Sequence, residues 1–92
     1  MTNELNLNNE LRIGDIVGAT NRMVIASTKI RERVENDSYA SWIAICTLEA
    51  EYHPYVVWTV TARPEGWSCE SGDYCLNIEE AVTMYKKRGG EA

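Results

Sequence analysis

The chain has no run of about 18 apolar residues of the kind a membrane-spanning helix needs. Its opening, Met-Thr-Asn-Glu-Leu-Asn-Leu-Asn-Asn-Glu, has neither the basic region nor the apolar core of a secretory leader. These two absences predict a cytoplasmic protein with no membrane partner. Soft metal ligands are few: Cys46, His53, Cys69 and Cys75 are all there are, and they lie seven, sixteen and six residues apart. Structural zinc sites pair their ligands two to four residues apart, so no metal is expected. No phosphate loop, nucleophile motif or catalytic triad is present, and His53 has no designated nucleophile or orienting carboxylate beside it. We therefore expect no cofactor, no catalytic residue and no enzymatic activity. In a reducing compartment the three cysteines are expected as free thiols, Cys46 packed as a small hydrophobe and Cys69 and Cys75 partly exposed.

Basic residues are scarce where they would matter most for nucleic acid. From residue 35 to residue 80 there are nine carboxylates and a single cation, Arg63, within a chain of 92 residues and formal net charge −5. Such a field repels phosphate backbones and attracts basic protein surfaces. Nucleic acid is thus a disfavoured partner and a protein with a basic surface a favoured one. There are also no internal repeats, linkers or low-complexity tracts. The size suits one domain, and the expected organisation is a flexible tail over residues 1–10 followed by a single α+β domain over residues 11–90.

Periodicity supplies the elements. Leu11, Ile13, Ile16, Val17, Thr20, Met23 and Val24 recur at three- and four-residue steps, which predicts an amphipathic helix, although Gly14 and Gly18 each weaken it and a strand competes there. Thr28 to Val34 alternates like a half-buried strand, with Lys29, Arg31 and Arg33 on one face. The cluster Glu35, Asn36, Asp37 and Ser38 predicts a turn, and Tyr39 to Glu49 a second strand with Trp42, Ala44, Cys46 and Leu48 on one face. Tyr52, His53 and Pro54 mark a reversal, and Val56 to Arg63 reads as a third strand, in which Val56, Trp58 and Val60 face one way and Tyr55, Val57, Thr59 and Thr61 the other. A short further hairpin is expected around Ser71 and Gly72. Asn77 with Glu80 forms the signature of a capped helix whose apolar face is Ile78, Ala81, Val82 and Tyr85, with Lys86, Lys87 and Arg88 in its last turn and Gly89 as its stop. The predicted fold is an antiparallel three- to four-stranded sheet with N-terminal and C-terminal helices packed on one face, in the order α-β-β-β-α.

The aromatic residues Tyr52, Tyr55, Trp58, Trp67 and Tyr74 crowd within 23 residues, too much bulk for the one buried face of such a sheet. Some of them must reach the surface, and exposed aromatics beside carboxylates are a frequent composition of protein interfaces. The candidate contact face is Glu49, Glu51, Tyr52, His53, Tyr55, Trp67 and Tyr74. Open sheet edges further predict self-association into a homo-oligomer.

The segment Tyr52-His-Pro-Tyr-Val-Val-Trp-Thr-Val-Thr-Ala-Arg-Pro-Glu-Gly-Trp67, followed by Gly72-Asp73-Tyr74 and a helix ending Tyr85-Lys-Lys-Arg-Gly-Gly90, resembles small uncharacterised proteins of actinobacterial bacteriophages over residues 42–90. The resemblance implies an intracellular protein that binds a host protein and inhibits or redirects it, with sequestration of a small ligand or a nucleic-acid-associated regulatory role as the alternative. The helix, three strands, helix order is also similar to the double-stranded RNA-binding domain. The chain departs from that family in carrying its basic cluster at the end of the last helix and in its negative net charge.

Overall fold

The computed structural model describes residues 10–18, 21–34, 39–48 and 52–90. The expected tail over residues 1–10, apart from Glu10, and the expected turn at Glu35 to Ser38 lie outside the described residues.

Two strands are rich in apolar residues because both of their faces are covered over most of their length. β3 (Ser41–Thr47) and β4 (Tyr55–Arg63) are buried along most of their length and pair antiparallel in the centre of the sheet. β2 (Arg22–Arg31) flanks β3, β5 (Gly66–Cys75) flanks β4, and the short β1 (Ile16–Val17) pairs with β2, giving a five-stranded antiparallel meander in the order β1-β2-β3-β4-β5. The sheet curls into a half-barrel, and β1 comes round to touch β5. Inside the curl Val24, Trp42, Ala44, Cys46, Val56, Trp58 and Val60 form one core. On the outer, convex face α1 (Ile78–Lys87) lays Ala81 and Tyr85 against Ile43, Ile45, Val57 and Cys75 as a second core. Val24, Val56, Val57 and Val60 are fully buried, and each contributes about 1.5–3 kcal/mol by leaving water. No helix among the described residues is long and apolar enough to cross a membrane.

The expected α-β-β-β-α fold is corrected at both ends of the sheet. No N-terminal helix occurs among the described residues: those between 11 and 24 form a turn, β1 and the first part of β2. Gly14 has φ +98°, Gly18 φ +82° and Asn21 φ +55°, conformations that no right-handed helix contains. The backbone instead pairs with β2, where Gly14 N donates to the Val24 carbonyl at 2.8 Å and Val24 N to that of Asp15 at 2.8 Å. The three- and four-residue spacing of apolar groups is reproduced here by a turn and a strand feeding two cores. Among the described residues a single helix therefore covers the sheet, which has five strands where three or four were expected.

The expected hairpin at Ser71–Gly72 is a bulge within β5. The register jumps from Val57 opposite Asp73 to Thr59 opposite Glu70, leaving Ser71, at φ +56°, and Gly72 against Trp58 alone. Gly72 is required by close approach, since a Cβ there would run into the Trp58 indole. Because the bulge inverts the alternation, Cys69 packs with the inner core and Cys75 with the outer one, so these two thiols cannot meet across a hairpin.

The closing helix follows its sequence signature. Asn77 caps it, its Oδ1 accepting from Glu80 N at 2.9 Å, and Gly90 N and Gly89 N donate back to the carbonyls of Tyr85 and Lys86 at 2.8 and 3.1 Å. The C-cap residue, Arg88, reaches from this helix across to the bulge. It donates to the carbonyls of Val57 (2.7 Å) and Ser71 (2.5 Å), to Asp73 Oδ2 (2.9 Å) and to Thr59 Oγ1 (2.8 Å). One guanidinium thus satisfies the acceptors that the irregular pairing leaves over.

Candidate functional site

Pro54 terminates the β3–β4 connection, and its carbonyl accepts from both Leu48 N (3.0 Å) and Arg22 Nη1 (3.1 Å). Arg22 is the first residue of β2 and points into the curl on the same side as Val24. It is only 2% exposed, and its Nε has no hydrogen-bond partner. The guanidinium lies 5.6 Å from the centroid of the Tyr74 ring, a cation–π contact at the mouth of the half-barrel. Above it His53 stands edge-on to Tyr52, with centroids 4.8 Å apart, and edge-on to Tyr74 at 6.3 Å. Tyr52 is 81% exposed and Tyr74 56%. Three of the expected contact residues, from two separate strand ends, therefore form one aromatic rim. Arg22 beneath them escaped sequence reasoning, which followed only the apolar positions between Leu11 and Val24.

The rim runs into a groove of about 560 Å³ between the end of β5 and α1, lined by Asp73, Tyr74, Glu79, Glu80 and Met84 among others. Tyr74 belongs to both features. The groove collects three carboxylates, although Asp73 is committed to Arg88 and Glu80 to the helix cap.

The other expected contact residues are placed elsewhere. Tyr55 is half-buried against the outer core. Trp67 lies toward the far end of β5, seven positions before Tyr74 or about 20 Å along a strand, edge-on to Trp42 with centroids 5.6 Å apart. Trp58 is core, and Glu49 and Glu51 lie outside the described residues.

The cysteines do not supply a nucleophile's environment. Burial pushes the Cys46 thiol up to about 12 and that of Cys69 to about 11, and burial first, then Glu80 and Asp73, also raises Cys75. A reactive thiolate needs the opposite shift. Cys75 is buried and not partly exposed as expected, because α1 covers it. Among the described residues no three His, Cys, Asp or Glu side chains converge as a metal site would require.

The basic face expected on β2 is broken by a bulge. The register steps from Lys29 opposite Trp42 to Arg31 opposite Ser41, which leaves Ile30 as the extra residue and sends Lys29 and Arg31 to opposite faces. Lys29 sits 5.2 Å over the Trp42 ring and bridges Glu10 (2.6 Å) and Glu32 (3.2 Å), and the Glu10 hydrogen bond chiefly raises its pKa. Arg31 instead enters a polar groove of about 350 Å³ on the convex face with Tyr39, Ser41, Thr61 and Arg63.

Comparison with protein-family models, with curated proteins and with solved structures finds no match to this chain.

Proposed function

We propose that the protein is a small acidic protein-binding module whose contact face is the rim of Tyr52, His53 and Tyr74 together with the carboxylate groove beside it. The observation that carries this reading is the rim itself: two largely exposed tyrosines and a histidine, interlocked edge to face over a buried arginine. Aromatic side chains held in place before binding lose little conformational freedom on association, and such groups dominate interface energetics. The carboxylate of Glu79 in the groove, within a chain of net charge −5, selects a partner with a basic surface. The resemblance to actinobacteriophage proteins extends this to a cytoplasmic role in an infected cell, where the module occupies a host protein and inhibits or redirects it. In this reading the protein is not an enzyme and works by occupancy.

The test is an affinity capture from actinobacterial lysate with wild type, a Tyr52→Ala/Tyr74→Ala variant and an Ile30→Ala variant on another surface. A partner retained by wild type and by Ile30→Ala and lost by the tyrosine variant is the expected result. Equal retention by all three refutes the rim as the contact face. Light scattering on the same samples measures the self-association that the open sheet edges favour.

A further inference from the structure

The polar groove on the convex face lies toward the other end of β4 from Tyr52 and Tyr74, and nothing in the aromatic rim requires it. We propose that it is a binding site for a phosphoryl group, either free phosphate or the phosphate ester of a small molecule.

The argument begins with its hydroxyls. Ser41 Oγ and Thr61 Oγ1 are 3.0 Å apart and both residues are buried. One proton lies between these two oxygens, so the second hydroxyl proton of the pair has no acceptor among the described hydrogen bonds. Thr59 Oγ1 accepts from Arg88 Nη2, which leaves the Thr59 proton available as well. The buried Ser41–Thr61 pair calls for an acceptor, and the half-buried Thr59 offers a second donor beside it.

The walls add a surplus of positive charge, two guanidiniums against one carboxylate. Arg63 rests its guanidinium 5.3 Å from the Tyr39 ring centroid and reaches Glu70 only at 3.4 Å, well beyond a tight charge-assisted bond of about 2.7–2.9 Å. Arg31 makes no ion pair among the described residues, and the Ile30 bulge is the device that turns it into the groove. Two guanidiniums and two hydroxyl protons thus face a single, loosely held carboxylate. A phosphoryl dianion, with three terminal oxygens matching the forked donors of arginine, supplies the missing acceptors. Glu70 then acts as a displaceable occupant of Arg63. The volume of about 350 Å³ lies in the range of small-molecule sites and leaves room for the organic part of an ester. The overall charge of −5 opposes an anion only weakly at this spot, because charges beyond about 8 Å are screened at physiological salt.

The test is amide-shift NMR on the full chain, titrated with inorganic phosphate and, separately, with adenosine monophosphate. Saturable shifts at Ser41, Thr59 and Thr61 are expected, weakened about tenfold or more in Arg31→Ala and in Arg63→Ala, and strengthened in Glu70→Gln. Far-UV circular dichroism of each variant verifies the fold, which the exposed Arg31 leaves intact. Tighter binding of the nucleotide assigns the site to a phosphate ester, and equal or weaker binding assigns it to free phosphate. No saturable shift with either probe at about 10 mM, shifts unchanged in both arginine variants, or weaker binding in Glu70→Gln overturns the proposal.

Discussion

Replacing Arg88 with alanine should be among the most destabilising single changes at a polar position of this protein. The side chain is 16% exposed and makes four hydrogen bonds, two to backbone carbonyls at the β4–β5 bulge, one to Thr59 and one to Asp73. Ser71 is exposed and Asp73 half-exposed, so water replaces those two bonds at little cost. Val57 is fully buried, and its carbonyl loses its partner where water enters poorly, while the half-buried Thr59 hydroxyl on the polar groove is partly compensated by solvent. Hydrogen bonds to a charged group contribute about 1.5–3 kcal/mol each, and discounting for partial exposure leaves about 2–4 kcal/mol for the pair. Against a total stability of about 5–15 kcal/mol this is large, and at about 4–8 °C per kcal/mol it lowers the Tm by roughly 10–30 °C. Arg88→Lys keeps the charge but offers a single point donor, and should recover less than half of the loss. Urea and thermal unfolding followed by circular dichroism measure both variants. A loss below about 0.5 kcal/mol for Arg88→Ala, within the range of ordinary surface substitutions, would show that the bulge does not depend on this guanidinium.

Gly72→Ala places a methyl group against the Trp58 indole and should cost about 1–3 kcal/mol through overpacking, read as a fall in urea midpoint with unchanged slope; Trp58→Phe in the same background should relieve part of it, and a neutral Gly72→Ala would refute the close packing. Cys46 and Cys69 should alkylate slowly at neutral pH, with rates that climb only as pH approaches about 12 and about 11. Their folded-state pKa values lie above the unencumbered 9.0, so the stability tied to the neutral thiols is complete below pH 9 and is lost as pH rises through the folded values. Urea midpoints measured from pH 8 upward in wild type and in a Cys46→Ala/Cys69→Ala variant check this: the wild type should fall more steeply, and parallel curves refute it.

The elements legible in the sequence were those whose determinants are local. The Asn77–Glu80 cap, the cationic last turn and the glycine stop all act within one turn of backbone, and α1 forms where they stand. The alternation of Val56, Trp58 and Val60 against Tyr55 and Val57 follows from the two-residue period of any strand, and these residues divide between the two cores in that way. The negative charge and its concentration between residues 35 and 80 are likewise properties of composition alone.

Tertiary structure decided the rest, because the deciding interactions join residues far apart in the chain. Whether residues 11–24 form a helix or a strand depends on the free edge of β2, to which Gly14 and Val24 bond, and the local pattern of apolar residues suits either. The bulges at Ile30 and Ser71–Gly72 change which face every later side chain occupies, so Lys29 parts from Arg31 and Cys69 from Cys75; a single extra residue inverts the alternation without leaving a mark in composition. The same holds for the site. Tyr52 and Tyr74 were recognisable as surplus aromatics, but Arg22 meets them, 52 positions from Tyr74, only because the curl of the sheet brings β2 and β5 to one mouth. Sequence alone determined an acidic chain, the two-faced alternation around Val56 to Val60 and a capped final helix, while pairing register and sheet curvature, which arise from contacts across the whole molecule, decided which of its side chains meet.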